Sequence, residues 1–204
     1  LRKGRFSIVL DGAAEAVREQ GWLPQLIAGD LDSIRPSTLR FFRRKGVEIL
    51  ETPDQNHTDL EKALAWCVLR NFSSIWIAQA LGLRLDHSFT NLSLLRRFHH
   101  PKREVLLFRD GEKVQFVRNA SLHLHGSAKR RVAILPFPSC EASSKGLLYE
   151  LKNTRLDLGL KESTANQALK AKISLMVQGD ALVAESLFPS SRTSNTFRKK
   201  KKTR

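Results

Sequence analysis

The feature that most constrains the fold of this chain is a regular alternation of apolar runs and amphipathic segments over about its first hundred residues. The apolar runs are FSIVL, QLIA, VEILE, SIWIAQA and EVLLF, and the segments with helical spacing between them are AAEAVREQ, PSTLRFFRRK, TDLEKALAWCVL and HSFTNLSLLRRF. Strands that alternate with helices of about 10 to 12 residues predict a mostly parallel sheet with right-handed crossovers. We therefore expect an α/β domain with a Rossmann-like sheet.

The pattern changes after Phe108. Two apolar runs flank Asp110-Gly111 in LLFRDGEKVQFV, which is a strong hairpin signal. Shorter strand-like runs follow, namely SLHLH, RRVAILPF, GLLYEL, AKISLMV and ALVAESL, the last two joined by QGD, whereas STANQALKA has the spacing for at least one helical turn. We expect an antiparallel β-sandwich domain, with α/β residues 1–105, β residues 106–188 and a basic, disordered tail at 189–204.

Composition limits the kind of protein and the cellular compartment that we expect. No apolar run among the 204 residues approaches the roughly 20 needed to cross a bilayer. The chain has a net charge of +15, to which RTSNTFRKKKKTR at the end contributes seven basic residues and no acid. Cys67 and Cys140 lack the spacing of a metal site or a disulfide framework, so we expect a reducing, cytoplasmic setting. The tail is the place where we expect any weak nucleic-acid contact.

Aspartates follow each of the first four predicted strands. Asp11 follows the first, Asp30 and Asp32 the second, and Asp59 and Asp86 stand in the loops or helix starts after the third and fourth. Ligands of parallel sheets bind beyond the carboxyl ends of the strands, where these loops meet. This pattern predicts a site that holds cations together with an anionic ligand.

The closely spaced Asp30 and Asp32 admit two interpretations. Aspartate is common in turns and at helix N-caps, so a local structural role is one of them. Two like charges raise each other's pKa unless a cation, a proton or solvent relieves the repulsion. Mg²⁺ prefers carboxylate oxygens and substrate phosphates, and it is the interpretation we favour.

The segment TDLEK matches a capping box, with Thr58 as N-cap and Glu61 reaching back. Asp59 suits the first turn of a helix in any case, and the helix start would fix it on the rim. Lys62 is either a surface lysine or a phosphate contact.

The segment LGLRLDH has two interpretations as well. Arg84 and Asp86 form either a weak surface ion pair or part of a phosphate site, because a guanidinium binds phosphate oxygens bidentately. His87 alone is more typical of a helix start than of a catalyst.

Taken together, these segments resemble the motifs of the thiamine pyrophosphokinase family. The matching segments are, in chain order, DGAAEA (11–16), GDLDSI (29–34), DQNHTDLEKAL (54–64) and QALGLRLDHSFTNL (79–92). GLLYELKNTRLDLG and ESTANQ resemble segments of the β domain of that family, so the resemblance covers about residues 6–186.

The resemblance implies Mg²⁺-dependent transfer of pyrophosphate from ATP to the thiamine hydroxyl, giving thiamine diphosphate and AMP, in a homodimer. It implies a metal site formed by Asp30, Asp32 and Asp59, and a catalytic set of these three with Arg84 and Asp86. The implied contacts to ATP and its phosphates are Asp11, Gln55, Lys62, Arg84 and His87, and the implied contacts to thiamine are Ser163, Thr164 and Asn166.

Several positions depart from the family pattern. Ala13, Gln79 and Leu83 stand where the family has glycine, and Ala165 stands where serine is common. A glycine lost beside a phosphate removes close backbone approach or a positive φ. We therefore expect the cost of these departures to depend on the backbone conformation at each position.

Parts of the sequence are compatible with two other functions. DLDS after a strand also suggests a haloacid-dehalogenase-type phosphatase, in which the first aspartate is the nucleophile, but the chain offers no second acidic pair late in the α/β domain. A catalytically weak homologue that binds nucleic acid through its basic tail is the non-enzymatic alternative.

Overall fold

The computed structural model describes residues 5–82 and 84–189. Leu83 and all but one residue of the predicted basic tail lie outside the described residues. The chain forms two compact units, Leu1–Ile75 and Trp76–Arg204. The functional domain limits at residues 105 and 188 stay a prediction.

The first unit has a three-stranded parallel sheet in the order β1-β2-β3. Its strands are β1 (Ile8–Leu10), β2 (Leu26–Gly29) and β3 (Glu48–Glu51), and its helices are α1 (Ala14–Glu19), α2 (Pro36–Arg44) and α3 (Asp59–Leu69). Strand β2 lies in the middle and is buried along its whole length, as expected of an apolar run in a parallel sheet. The predicted α/β alternation is confirmed here.

The helices of this unit cover the sheet with apolar side chains. Phe42 on α2 is fully buried against Val9, Ile27 and Val47. Pro36 occupies the start of α2, where its fixed φ suits a helix and its missing N–H is not needed. The sheet is therefore held rigidly, and the loops that follow its strands start from fixed points.

A seven-stranded sheet contains the remaining strands. Its strands are β4 (Ser74–Ala78), β5 (Glu104–Arg109), β6 (Glu112–His125), β7 (Arg131–Lys145), β8 (Thr154–Asp157), β9 (Ser163–Gln167) and β10 (Lys172–Ser186). Helix α4 (Leu85–Arg97) lies between β4 and β5 in the chain. The strand order is β4-β5-β6-β10-β7-β8, and β9 pairs with β7. The predicted parallel sheet of five strands is corrected accordingly, because β4 and β5 belong to this second sheet. Apolar periodicity predicts that a segment is a strand, but it does not predict the neighbour of that strand.

The predicted hairpin at Asp110-Gly111 is confirmed. Arg109 pairs with Glu112 across the two-residue loop. Asp110 and Gly111 both have positive φ values, 47° and 76°, as a type I′ turn requires.

Three predictions in the β region were wrong. The QGD segment is a bulge inside the single strand β10, because Gly179 packs so closely on β7 that a Cβ there would lie 2.7 Å from the Ser139 carbonyl oxygen. The segment STANQ is strand β9 and not a helical turn, because it pairs with β7. The segment GLLYEL makes only an isolated bridge through Leu147 to Ala168.

Among the described residues, the helices are all too short or too polar to span a membrane.

A candidate carboxylate site

The site begins with Asp11, which directly follows β1. Its side chain is buried, and its carboxylate accepts hydrogen bonds from the backbone N–H groups of Gly12 at 2.7 Å and Leu31 at 3.0 Å. Gly29 at the end of β2 makes room for it, since a Cβ there would lie only 2.4 Å from Asp11 Cγ. The glycine and the aspartate of neighbouring strands thus fit each other.

Asp30 follows Gly29, and its carboxylate lies near that of Asp11. Its carboxylate accepts hydrogen bonds from Gln55 Nε2 at 3.1 Å and from the backbone N–H of Asp32 at 3.2 Å. These bonds hold the pKa of Asp30 below its usual value, the bond from Gln55 being the larger cause. Leu31 has a φ of 67°, a left-handed conformation that turns the chain sharply after Asp30.

Asp59 is the first residue of α3. The preceding Thr58 caps the helix, with its hydroxyl accepting the backbone N–H of Glu61 at 3.3 Å, as the capping box predicts. Asp59 Oδ1 is buried. Lys62 Nζ lies 2.8 Å from this oxygen as an ion pair.

Asp11, Asp30 and Asp59 form one cluster. Each offers a carboxylate oxygen, and these oxygens all lie within 4.8 Å of one another. Burial raises the pKa of Asp11, the negative charges of Asp59 and Asp30 raise it further, and the hydrogen bonds from Gly12 and Leu31 oppose the rise. Three close carboxylates, one of them on a buried side chain, fit a hard divalent cation such as Mg²⁺.

The position of Asp11 is what sequence reasoning missed. It was predicted as a contact to ATP, while the metal set was predicted as Asp30, Asp32 and Asp59. Asp32 is exposed and accepts a hydrogen bond from Ser33 Oγ at 2.8 Å, outside the cluster. The sequence signal for Asp11 is its place directly after a strand, on the same predicted rim as Asp30 and Asp59.

Arg84, Asp86 and His87 lie in the second unit. Arg84 precedes α4 and pairs with Asp86 through two contacts, one of them a hydrogen bond of 3.1 Å from Nε to Oδ1. The guanidinium lowers the pKa of Asp86 to about 2. His87 is exposed in the first turn of α4. The place of these residues on a common rim with the aspartate cluster stays a prediction.

The predicted contacts to thiamine lie on β9. Thr164 is exposed and Ser163 is half-buried. Asn166 is 2% exposed, and its amide both donates to the Tyr149 carbonyl at 2.7 Å and accepts from the Tyr149 N–H at 3.1 Å. The side chain of Asn166 therefore holds the Tyr149 turn in place.

Three positions that depart from the family pattern differ in backbone conformation: Ala13 and Gln79, which stand where the family has glycine, and Ala165, which stands where serine is common. Gln79 has a φ of 58° and Ala165 a φ of 53°, so both occupy the left-handed region that glycine tolerates best. Ala13 has a φ of −99° and a ψ of −5°, which any residue adopts. The departure at Ala13 therefore carries no backbone strain, and the one at Gln79 does.

Solved structures share this fold. The crystal structure of a thiamine pyrophosphokinase from Bacillus subtilis is 21% identical, covers 91% of this chain and 89% of its own, and has a TM-score of 0.82. A thiamin pyrophosphokinase from Candida albicans is 16% identical, covers 92% of this chain and 83% of its own, and also has a TM-score of 0.82. At these identities the likeness establishes the fold alone.

Sequence comparison identifies the family. A family model described as "Thiamin pyrophosphokinase, catalytic domain" matches residues 1–107. "Thiamin pyrophosphokinase 1" of Caenorhabditis elegans is 29% identical over 188 residues, which cover 85% of this chain and 75% of the relative. "Thiamine pyrophosphokinase 1" of Arabidopsis thaliana is 31% identical over 182 residues, or 83% of this chain and 67% of the relative. The chain is a member of the thiamin pyrophosphokinase family.

Proposed function

We propose that this chain transfers a pyrophosphoryl group from ATP to the hydroxyl of thiamine, giving thiamine diphosphate and AMP, with Mg²⁺ bound by its carboxylate cluster. Membership of the thiamin pyrophosphokinase family supports the reaction. The observation that carries the chemistry is the convergence of Asp11, Asp30 and Asp59 within 4.8 Å.

The reaction requires the thiamine hydroxyl oxygen to form a bond with the β-phosphorus of ATP. The bond between that phosphorus and the oxygen bridging to the α-phosphorus breaks, AMP leaves, and the hydroxyl proton is released. Catalysis of this kind depends on positioning and on neutralising phosphate charge. Asp11, Asp30 and Asp59 would hold Mg²⁺, which would supply positive charge to neutralise the phosphate oxygens.

Other residues are assigned from the resemblance and their surroundings. Arg84 is bound to Asp86 through exposed side chains, so exchange of this partner for phosphate costs little. Gln55 orients Asp30 through a hydrogen bond of 3.1 Å. Exposed Thr164 and half-buried Ser163 are free to contact thiamine from β9, which we propose happens in a homodimer.

The phosphatase alternative has no support from the relatives or the site. Nucleic-acid binding through the basic tail, which lies outside the described residues, is separable from catalysis. Deletion of residues 192–204 should leave the transferase activity unchanged and should remove any nucleic-acid binding.

The test is product formation by the purified protein. With Mg²⁺, ATP and thiamine we expect AMP and thiamine diphosphate in equal amounts, measured by chromatography with fluorescence detection of the oxidised thiamine product. Asp59→Asn and Asp30→Asn should each lower kcat by at least about 100-fold, because each removes a proposed metal ligand. Asp157→Asn changes a half-buried aspartate that pairs with Arg155 on β8; it is the matched control and should retain activity. A folded wild-type protein that forms neither product would refute the proposal.

A further inference from the structure

Lys62 was predicted to be a surface residue or a phosphate contact, and its surroundings indicate neither. Its side chain is only 11% exposed. Nζ donates hydrogen bonds to the carbonyl oxygens of Thr52 at 2.9 Å and Asp54 at 3.0 Å, and it lies 2.8 Å from Asp59 Oδ1. A lysine ammonium has three N–H donors, so these three oxygens account for its full capacity.

The partners of Lys62 connect two parts of the site. Asp59 opens α3, three residues before Lys62 and therefore on the same helix face. Thr52 and Asp54 belong to the segment after β3, which is itself tied to β2 because the Thr52 N–H donates to the Gly29 carbonyl at 2.8 Å. Lys62 thus joins the start of α3 to the chain that follows β3.

The segment after β3 also contacts a second aspartate of the cluster, Asp30. Gln55 directly follows Asp54 and donates to Asp30 at 3.1 Å. A shift of residues 52–54 would therefore move Gln55 and release Asp30, while loss of the ammonium would release Asp59. Two of the three carboxylates depend on Lys62, one directly and one through the backbone.

We propose that Lys62 is a positioning residue of the cation site, which fixes Asp59 and residues 52–55, and that it is not a contact to the phosphates of ATP. The inference rests on the proposed function, because it concerns the cation that the aspartates would hold. Residues that orient metal ligands typically contribute about 10- to 100-fold to metal affinity.

A positioning role and a purely electrostatic role of Lys62 predict opposite changes in cation affinity when the lysine is removed. An ammonium near a cation site repels the cation, so a lysine that acted only through its charge would weaken cation binding, and its removal would strengthen it. Removal of a lysine that positions the ligands should instead weaken cation binding. The affinity for the cation alone, without ATP, therefore distinguishes the two roles.

The experiment measures binding of Mn²⁺ alone to the full chain, from the loss of the free-ion electron paramagnetic resonance signal. Lys62→Met should weaken Mn²⁺ binding by about 10-fold. Lys62→Arg should weaken it similarly, because a planar guanidinium keeps the charge but does not reproduce a compact donor to three converging oxygens. Lys45→Met, an exposed lysine at the end of α2, is the matched control and should bind Mn²⁺ like the wild type.

Kinetics separate positioning from phosphate contact. We expect Lys62→Arg to lower kcat while the KM for ATP changes less than about two-fold at saturating Mg²⁺, and higher Mg²⁺ should restore part of the activity of both variants. If Lys62→Arg retains wild-type kcat and Lys62→Met raises only the KM for ATP, Lys62 is a phosphate contact and the inference is wrong. Unchanged or tighter Mn²⁺ binding by a folded Lys62→Met protein would also overturn it. Either result leaves the proposed function intact if the wild type makes thiamine diphosphate, whereas failure of the wild type to do so refutes the function itself.

Discussion

Replacement of Gly29 by alanine tests the geometry on which the carboxylate site depends. The new Cβ would lie 2.4 Å from Asp11 Cγ, and ordinary contact begins near 3.4 Å, so the carboxyl group must move by about 1 Å. Asp11 is buried, and its carboxylate is held by the N–H groups of Gly12 and Leu31 at 2.7 and 3.0 Å. Hydrogen bonds to a charged group contribute about 1.5 to 3 kcal/mol each. Partial loss of both, with some backbone relaxation, should lower the free energy of unfolding by about 2 to 4 kcal/mol.

Thermal unfolding followed by circular dichroism measures this effect, because about 2 to 4 kcal/mol in a chain of this size lowers Tm by roughly 4 to 16 °C. Gly12→Ala is the matched control, since a Cβ at Gly12 meets nothing within 4 Å. Its Tm should change by less than about 2 °C. Mn²⁺ binding should weaken in Gly29→Ala because Asp11 is displaced from the cluster. A Gly29→Ala protein with the Tm and Mn²⁺ affinity of the wild type would show that the fit between Gly29 and Asp11 does not hold the site together.

Two further predictions concern the second unit. Gln79→Gly should raise Tm by about 1 to 3 °C, because Gln79 has a φ of 58° and glycine relieves left-handed strain of about 1 kcal/mol, and a fall in Tm would contradict this. Asp180 accepts hydrogen bonds from Arg118 and Arg96, which hold its pKa below the usual value. His99 and Cys140 are further titratable groups that interact with it. A lowered folded-state pKa gives stability that is present above about pH 4 and lost as the pH falls through the folded-state value. Asp180→Asn should therefore cost about 1 to 2 kcal/mol at pH 7 and less at pH 3, and a Tm difference that does not vary with pH would refute the assignment.

The elements could be predicted from the sequence far better than their arrangement. Local signals were sufficient for α3, whose capping threonine and first-turn acids are visible in TDLEK, and for the hairpin at Asp110-Gly111. They failed for QGD, because a turn and a bulge use the same residue types and differ only in whether β7 lies against Gly179. That contact joins residues about 40 positions apart, and no local pattern encodes it.

The same limit applies to the assignment of β4 and β5. Each was predicted as a strand from its apolar run, but β5 pairs with the antiparallel β6, and β4 is next to β5 in that sheet. The partner of a strand depends on which other strands have an unpaired edge next to it in the folded chain. It depends on the whole chain, whereas apolar periodicity reports only burial of the segment itself.

At the carboxylate site, the sequence predicts which residue types gather at the ends of the strands, but it predicts only part of which side chains converge. Asp11, Asp30 and Asp59 were all identified as polar residues after strands, but the choice among them for metal binding depends on side-chain direction. Lys62 shows the reason most clearly. In sequence, a lysine one turn into a helix is compatible with a surface position or with a phosphate contact, and the hydrogen bonds that its ammonium donates to the Thr52 and Asp54 carbonyl oxygens support the positioning role that we propose. No pattern around Lys62 in the sequence encodes the positions of those two carbonyl groups, because they depend on where the backbone after β3 lies relative to α3 once the chain has folded.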